Sequence, residues 1–128
     1  MDKVVHFEIP FDNGERATKF YKEVFNWQMQ SIPEMTYTVV HTVQIDKNNM
    51  PTEPGAINGG MYKRDKNSSK SPVLVIDVSS VDKYAKKIEK AGGKITRQKT
   101  KVGDMGFYAQ VTDTEGNIIG IWETIKKQ

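Results

Sequence analysis

Apolar residues near the start of the chain fall on two different periods. Ala17, Phe20, Tyr21, Val24 and Phe25 follow the i, i+3, i+4, i+7, i+8 spacing of one helical face. Asp12 with Glu15 three residues on gives a capping-box-like start, and Asn26 suits the left-handed residue that ends a helix. Val81, Tyr84, Ala85 and Ile88 form a second stripe, framed by Ser79 and Asp82 and stopped by Gly92 and Gly93. The two stripes superpose at a constant offset of 64 residues. A strand-like run precedes each helix, VVHFEI (4–9) and VLVIDV (73–78). Further runs follow at Tyr37–Ile45, with room for a break into two strands, and at Ala56–Tyr62; after the second helix they are Lys94–Arg97, Phe107–Thr112 and Asn117–Glu123. DTEGN (113–117) reads as a tight hairpin turn with Gly116 at its left-handed position. The polar stretch 63–72 reads as a linker. The pattern is an internal duplication within one domain over 1–128: βαβββ at about 4–64, then βαβββ at about 73–124. A module this small cannot cover both faces of its own sheet, so the two halves are expected to pair, within one chain or across a dimer.

Strand parity assigns faces. Val5, Phe7 and Ile9 should cover the first helix, which turns His6 and Glu8 to the opposite side. Leu74, Ile76 and Val78 match them in the second half, leaving Val73, Val75 and Asp77 on the inner side. Ile119 and Ile121 face the helix, while Ile118, Gly120 and Trp122 look inward. The expectation is an α+β protein whose sheets curl around a cavity, with the helices outside. That is a ligand-binding design.

Composition narrows the chemistry. There is no cysteine, which removes disulfides, thiolate metal sites and cysteine nucleophiles. No apolar run approaches membrane-spanning length, and Met1 leads directly into a strand-like run without a signal-type segment, so a cytoplasmic location is expected. The net charge is +3, unevenly placed: residues 63–101 hold 12 Lys or Arg against 4 Asp or Glu. These positives fall on the linker and on the polar side of the second helix (Lys83, Lys86, Lys87, Lys90), where Tyr84 is the only aromatic and its spacing assigns it to the apolar stripe. That is a solvated face, not a nucleic-acid surface.

Four segments, HFEIPFDNGERATKFYKEVFNW (6–27), GGMYKR (59–64), VIDVSSVDKYAKKIEKAGGKI (75–95) and GFYAQVTDTEGNIIGIWE (106–123), resemble in order and spacing the glyoxalase, bleomycin-resistance and extradiol-dioxygenase superfamily, also called vicinal oxygen chelate. Small proteins related to lactoylglutathione lyase resemble it most. The resemblance implies a homodimer, and in its enzymes a divalent metal held by inward side chains of the first, fourth, fifth and eighth strands. Here His6 stands at the first of those positions, Val73 at the third and Gly120 at the fourth. Around the fourth strand only Asn58 is polar enough to consider. One slot of four is filled, so no cofactor is expected and a divalent metal is disfavoured.

The inward pair His6 and Glu8 could serve as base and orienting carboxylate, or as a hydrogen-bonded pair in a wet cavity. Asn58, Val73, Val75, Tyr108, Gln110, Gly120 and Trp122 complete the expected ligand-lining set, with room beside Gly120 under the Trp122 wall. His41 reads as a partly buried, satisfied histidine and Trp27 as structural. Loop 98–106, with Gly103 and Gly106, could cover the site. The leading reading is a metal-free binder of a small molecule. The alternative is a lyase or isomerase of glyoxalase type with a modified site using His6 and Glu8.

Overall fold

The computed structural model describes residues 1–126. The protein is α+β, with eight strands and two principal helices, and each half is a βαβββ module. It folds as two compact units, His6–Pro72 and Val73 onward together with Met1–Val5.

In the first of these, strand β1 (Val4–Phe11) leads to helix α1 (Gly14–Phe25), then β2 (Gln28–Ile32), a 3-10 turn (Pro33–Met35), β3 (Tyr37–His41) and β4 (Gly59–Lys63). Strand β1 runs parallel to β4, which is antiparallel to β3, which is antiparallel to β2. The α1 cap is Asn13, not Asp12: its side chain accepts from the Arg16 amide at 3.0 Å. Asp12 instead receives Arg64, Nη1 to Oδ2 at 3.0 Å, pinning the end of β4 to the end of β1. Asn26 ends the helix at φ 60°, as expected. The stretch Gln28–Ile32 alternates only weakly, which is why it was not anticipated as a strand, and the run from Tyr37 stops at His41 rather than Ile45.

The other unit repeats that topology. Strand β5 (Val73–Asp77) precedes α2 (Val81–Lys90), then β6 (Lys94–Val102), β7 (Gly106–Thr112) and β8 (Ile118–Thr124). Here β5 is parallel to β8, β8 antiparallel to β7 and β7 antiparallel to β6. Ser80, not Ser79, caps α2 by accepting from the Lys83 amide. Gly116 takes φ 82° in the β7–β8 turn, where Asp113 Oδ1 accepts from the Glu115 and Asn117 amides. The Asn117 side chain donates to Asp113 as well and holds that carboxyl below its ordinary value. The expected cover loop 98–106 is corrected: β6 continues to Val102, leaving a short turn before Gly106.

The helix-facing assignments hold where a helix lies over the strand. Ala109, Val111 and Ile121 form a core with Val78 and Val81, against which Ile76, Tyr84, Ile88, Ile95, Phe107 and Ile119 pack. Leu74 shares that parity but is 52% exposed, and Val5 is 40% exposed; both expectations of cover are corrected. Helix α1 is seated less deeply. None of its residues is buried, and Phe20, Val24 and Phe25 are each more than half exposed. Its stripe is held by ring contacts instead: Tyr21 stacks on Trp27 at 4.9 Å, and Trp27 meets Phe7 at 5.7 Å.

Candidate functional site

The site starts from two adjacent glycines in β4. A Cβ on Gly59 would lie 2.6 Å from the Phe7 ring, and one on Gly60 would lie 1.8 Å from the Tyr37 hydroxyl. Neighbouring strand residues point to opposite faces, so Phe7 and Tyr37 occupy opposite sides of the sheet. Phe7 is on the α1 side, as its Trp27 contact shows. Tyr37 lies on the other side, with His6: His6 Nε2 and Tyr37 Oη are 3.2 Å apart.

The electrostatics fit a dry pair beside a carboxylate. Burial lowers the His6 imidazole from 6.5 to about 4, so it is neutral at physiological pH. Burial, and after it the nearby Glu8 charge, raise the Tyr37 phenol well above its ordinary 10. Two neutral groups therefore share the bond. The phenol can donate to an unprotonated Nε2 or accept from Nε2–H, according to the imidazole tautomer. His6, Glu8 and Tyr37 come together on one face, and the strand alternation that puts His6 and Glu8 opposite the helix is what the residues predict.

The remaining expected site residues go elsewhere. Asn58 Oδ1 accepts from the Thr42 and Val43 amides at 2.7 and 3.1 Å, bracing the turn after β3. That oxygen is committed to the backbone. Val73, Val75 and Gln110 are 0%, 2% and 6% exposed and offer a ligand no surface. The room expected beside Gly120 is filled: its Cβ would meet the Tyr108 ring at 2.8 Å and Val75 at 3.0 Å. Gln110 Nε2 donates to the Tyr108 hydroxyl at 3.0 Å. The Trp122 indole covers Gly106, and its Nε1–H donates to Thr124 Oγ1. Glu123 faces away from Gly120, as parity requires, and Oε1 accepts from the Val81 amide at the start of α2.

Tyr37 is the functional candidate that the sequence reading passed over. Its signal was the Gly59–Gly60 doublet inside a strand, because glycine there marks a close approach by another group. The same device recurs in the other unit. Tyr37 pairs with Tyr62 and overlies Gly60, two residues earlier; Tyr108 pairs with Trp122 and overlies Gly120, two residues earlier. The neighbours across the parallel strand pair are Glu8 for Gly60 and Val75 for Gly120. Around its tyrosine one half sets His6 and Glu8, the other Val75 and Gln110.

Two surface features lie near these strands. A groove of about 930 Å³ runs beside α1, between Glu15, Lys19 and Lys22 on the helix and Ser31, Pro33 and Thr36 opposite. A smaller polar hollow of about 280 Å³ includes His41, Gln28 and Glu53. Among the described residues no group of three or more His, Cys, Asp or Glu could hold a metal ion. His6 Nε2 is engaged by the Tyr37 hydroxyl and Asn58 Oδ1 by backbone amides.

The fold is the α+β arrangement of two βαβββ modules expected from the sequence. Residues 3–42 match the family described as Bleomycin resistance protein-like N-terminal, a match that supports the expected resemblance to the vicinal oxygen chelate superfamily. Similar solved structures include a hypothetical protein from Bacillus halodurans C-125, at 13% identity and TM-score 0.63, covering 99% of this chain and 96% of that one. Methylmalonyl-CoA epimerase from Mycobacterium tuberculosis is similar at 13% identity and TM-score 0.63 (95% and 87% covered). Streptomyces coelicolor methylmalonyl-CoA epimerase, in complex with 2-nitronate-propionyl-CoA, matches at 12% identity and TM-score 0.64 (97% and 98% covered). No curated protein matches by sequence.

Proposed function

We propose that the protein binds a small polar molecule on the sheet face that carries His6, Glu8 and Tyr37, and that it does so without a metal ion. The observation that carries this reading is the His6–Tyr37 pair, 3.2 Å apart with the imidazole held neutral near pKa 4. A proton acceptor at about 4 rather than 6.5 gives up roughly 3 kcal/mol of driving force for taking a proton. Efficient general bases lie near the working pH, so burial disfavours His6 as the base of a lyase or isomerase. The same burial suits recognition. A neutral imidazole and a neutral phenol each offer a donor and an acceptor in a poorly hydrated place, where unmatched polar groups of a wrong ligand are costly. The binder is taken to act as a homodimer, as superfamily resemblance implies.

A second reading rests on Glu8. Its charge is felt at Tyr37, so carboxylate and phenol are near enough to share work on one substrate, as base and hydrogen-bond donor. The similar structures titled methylmalonyl-CoA epimerase make proton transfer at carbon the chemistry to assay under it.

Elemental mass spectrometry of untagged protein equilibrated with Ni, Zn, Mn and Fe(II) tests the metal-free claim. We expect only trace metal; close to one tightly held ion per chain would overturn it. A thermal-shift screen of small polar and aromatic molecules tests binding. A ligand at a hundredfold excess over its Kd adds about 2.7 kcal/mol, a rise of several degrees in Tm. Such hits should vanish in His6→Gln and Tyr37→Phe. Hits that survive both substitutions would move the site elsewhere.

A further inference from the structure

The groove beside α1 is lined by hydroxyls that the protein itself leaves unused. Gly59 faces Phe7 on the α1 side of the sheet, and Met61 and Lys63 follow it on that side. Thr38 pairs with Met61 and Ser31 with Thr38, so both share the same face. Thr38, Ser31 and Lys63 thus turn away from His6 and Glu8 and line the groove with Thr18 of the helix. Thr38 is 5% exposed, yet its hydroxyl is not sealed in, and it has no hydrogen-bond partner among the described residues. The hydroxyls of Thr18 and Ser31 have none among those residues either. A buried hydroxyl costs stability when unpaired, so one that opens on a cleft is suited to a partner from outside.

Charge favours an anion at one end of the groove. Asp12 is engaged by Arg64, and Lys19 stands 3.9 Å from Glu23, which leaves Lys22 and Lys63 against Glu15. Lys63 donates to the Asp12 carbonyl, two residues before α1 begins, and an ammonium has two further protons to give. The Asn13 side chain takes the Arg16 amide, while the Gly14 and Glu15 amides have no partner among the described residues. Free amides at the start of a helix attract anions. The Phe11 ring lies 3.2 Å from where a Cβ on Gly14 would stand and gives this end an apolar floor.

We propose that this groove is a second binding site and that it takes a phosphorylated sugar. The phosphate lies at the start of α1 with Lys63, and the sugar hydroxyls meet Thr18, Ser31 and Thr38. From Gly14 to Lys22 the helix advances about 12 Å, long enough for a sugar ring and its phosphate. A protein hydroxyl both donates and accepts, as a sugar hydroxyl does, so the two match without an unpaired group. Bare phosphate leaves the hydroxyls unmet, and a neutral sugar leaves the cationic end unmet. The site is on the face opposite His6 and Glu8 and stands or falls apart from the reading of that face. Tyr37 borders the groove and also bonds His6, so the variants below leave it in place.

Isothermal titration calorimetry of the full chain tests this, using glucose 6-phosphate, fructose 6-phosphate and ribose 5-phosphate against glucose and inorganic phosphate. At least one sugar phosphate should saturate with a dissociation constant below about 1 mM. It should bind at least tenfold tighter than glucose or inorganic phosphate. Lys63→Gln, Ser31→Ala and Thr38→Val should each weaken that binding at least threefold, and His6→Gln should leave it unaltered. Ser31 and Lys63 are exposed, so their variants keep the result readable if the buried Thr38 change costs the fold. No saturation by any of the three sugar phosphates would overturn the proposal. So would inorganic phosphate that binds as tightly as they do, or binding that Lys63→Gln and Ser31→Ala both leave intact.

Discussion

His6 is held in the form that costs most when acid is added. Its folded value, about 4, lies below the unfolded 6.5, so above pH 6.5 it is neutral in both states and contributes no pH dependence. Between the two values the unfolded chain takes the proton and the folded chain does not. Stability should therefore fall as pH drops from 6.5 toward 4, by at most about 3 kcal/mol. Urea unfolding at pH 7 and pH 4.5 measures this, and His6→Gln should flatten the difference. The glycine beneath Tyr37 gives a second residue-scale test. Gly60→Ala places a methyl where the phenol oxygen sits, so the ring must swing away from His6. We expect a loss of about 1–3 kcal/mol, the usual cost of overpacking, with His6 titrating closer to 6.5 by NMR. Tyr37→Val added to Gly60→Ala should recover part of that stability, because the two residues share one space. Much of this site was legible from alternation, which put His6 and Glu8 on the inner face. Tyr37 was not, because a tyrosine among Val39, Val40 and His41 looks like any strand aromatic until the glycine opposite it is read as its seat.

Caps and strand limits are where element-scale reading slipped, always by local competition. Asp12 and Asn13 both suit an N-cap, and Ser79 and Ser80 do too; the residue with extended backbone, aimed at the amide three residues on, wins in each case. Asn13→Ala should cost about 1 kcal/mol. Asp12→Ala removes an exposed ion pair with Arg64, and a smaller change is expected. Chemical denaturation of the two variants side by side decides which residue caps α1. Helix α2 has a partner no local pattern could reveal: the Glu123 carboxylate, 42 residues away, receives the Val81 amide. Only the negative inference, that Glu123 is not on the Gly120 face, was available from sequence. The long β6 was shortened in prediction because its exposed residues, TRQKTK, lack the apolar alternation that announces a strand.

The duplication was the feature most visible in the sequence, since two helical stripes superpose at a fixed offset, and both halves share one strand topology. What the repeat did not disclose is how differently they are packed. Helix α2 has Val81 buried and Tyr84 and Ile88 against a core, whereas α1 has no buried residue. Amides exchange according to how often their element opens, and elements with few buried apolar contacts open first. Hydrogen exchange should show α1 amides at least tenfold less protected than those of α2. Equal protection would show that the Tyr21–Trp27–Phe7 ring contacts anchor α1 as firmly as a core does.

The paired tyrosine-on-glycine seats have a practical corollary for anyone wishing to give this scaffold a new ligand. The seat at Tyr108 and Gly120, closed by the buried Val75 and Gln110, is mechanical infrastructure, and diversity introduced there would be spent on broken proteins. The seat at Tyr37 and Gly60 is mechanically the same, but positions 6 and 8 beside it carry chemistry rather than packing. A library confined to 6, 8 and 37, with position 60 fixed, would vary recognition while leaving the frame to its untouched twin.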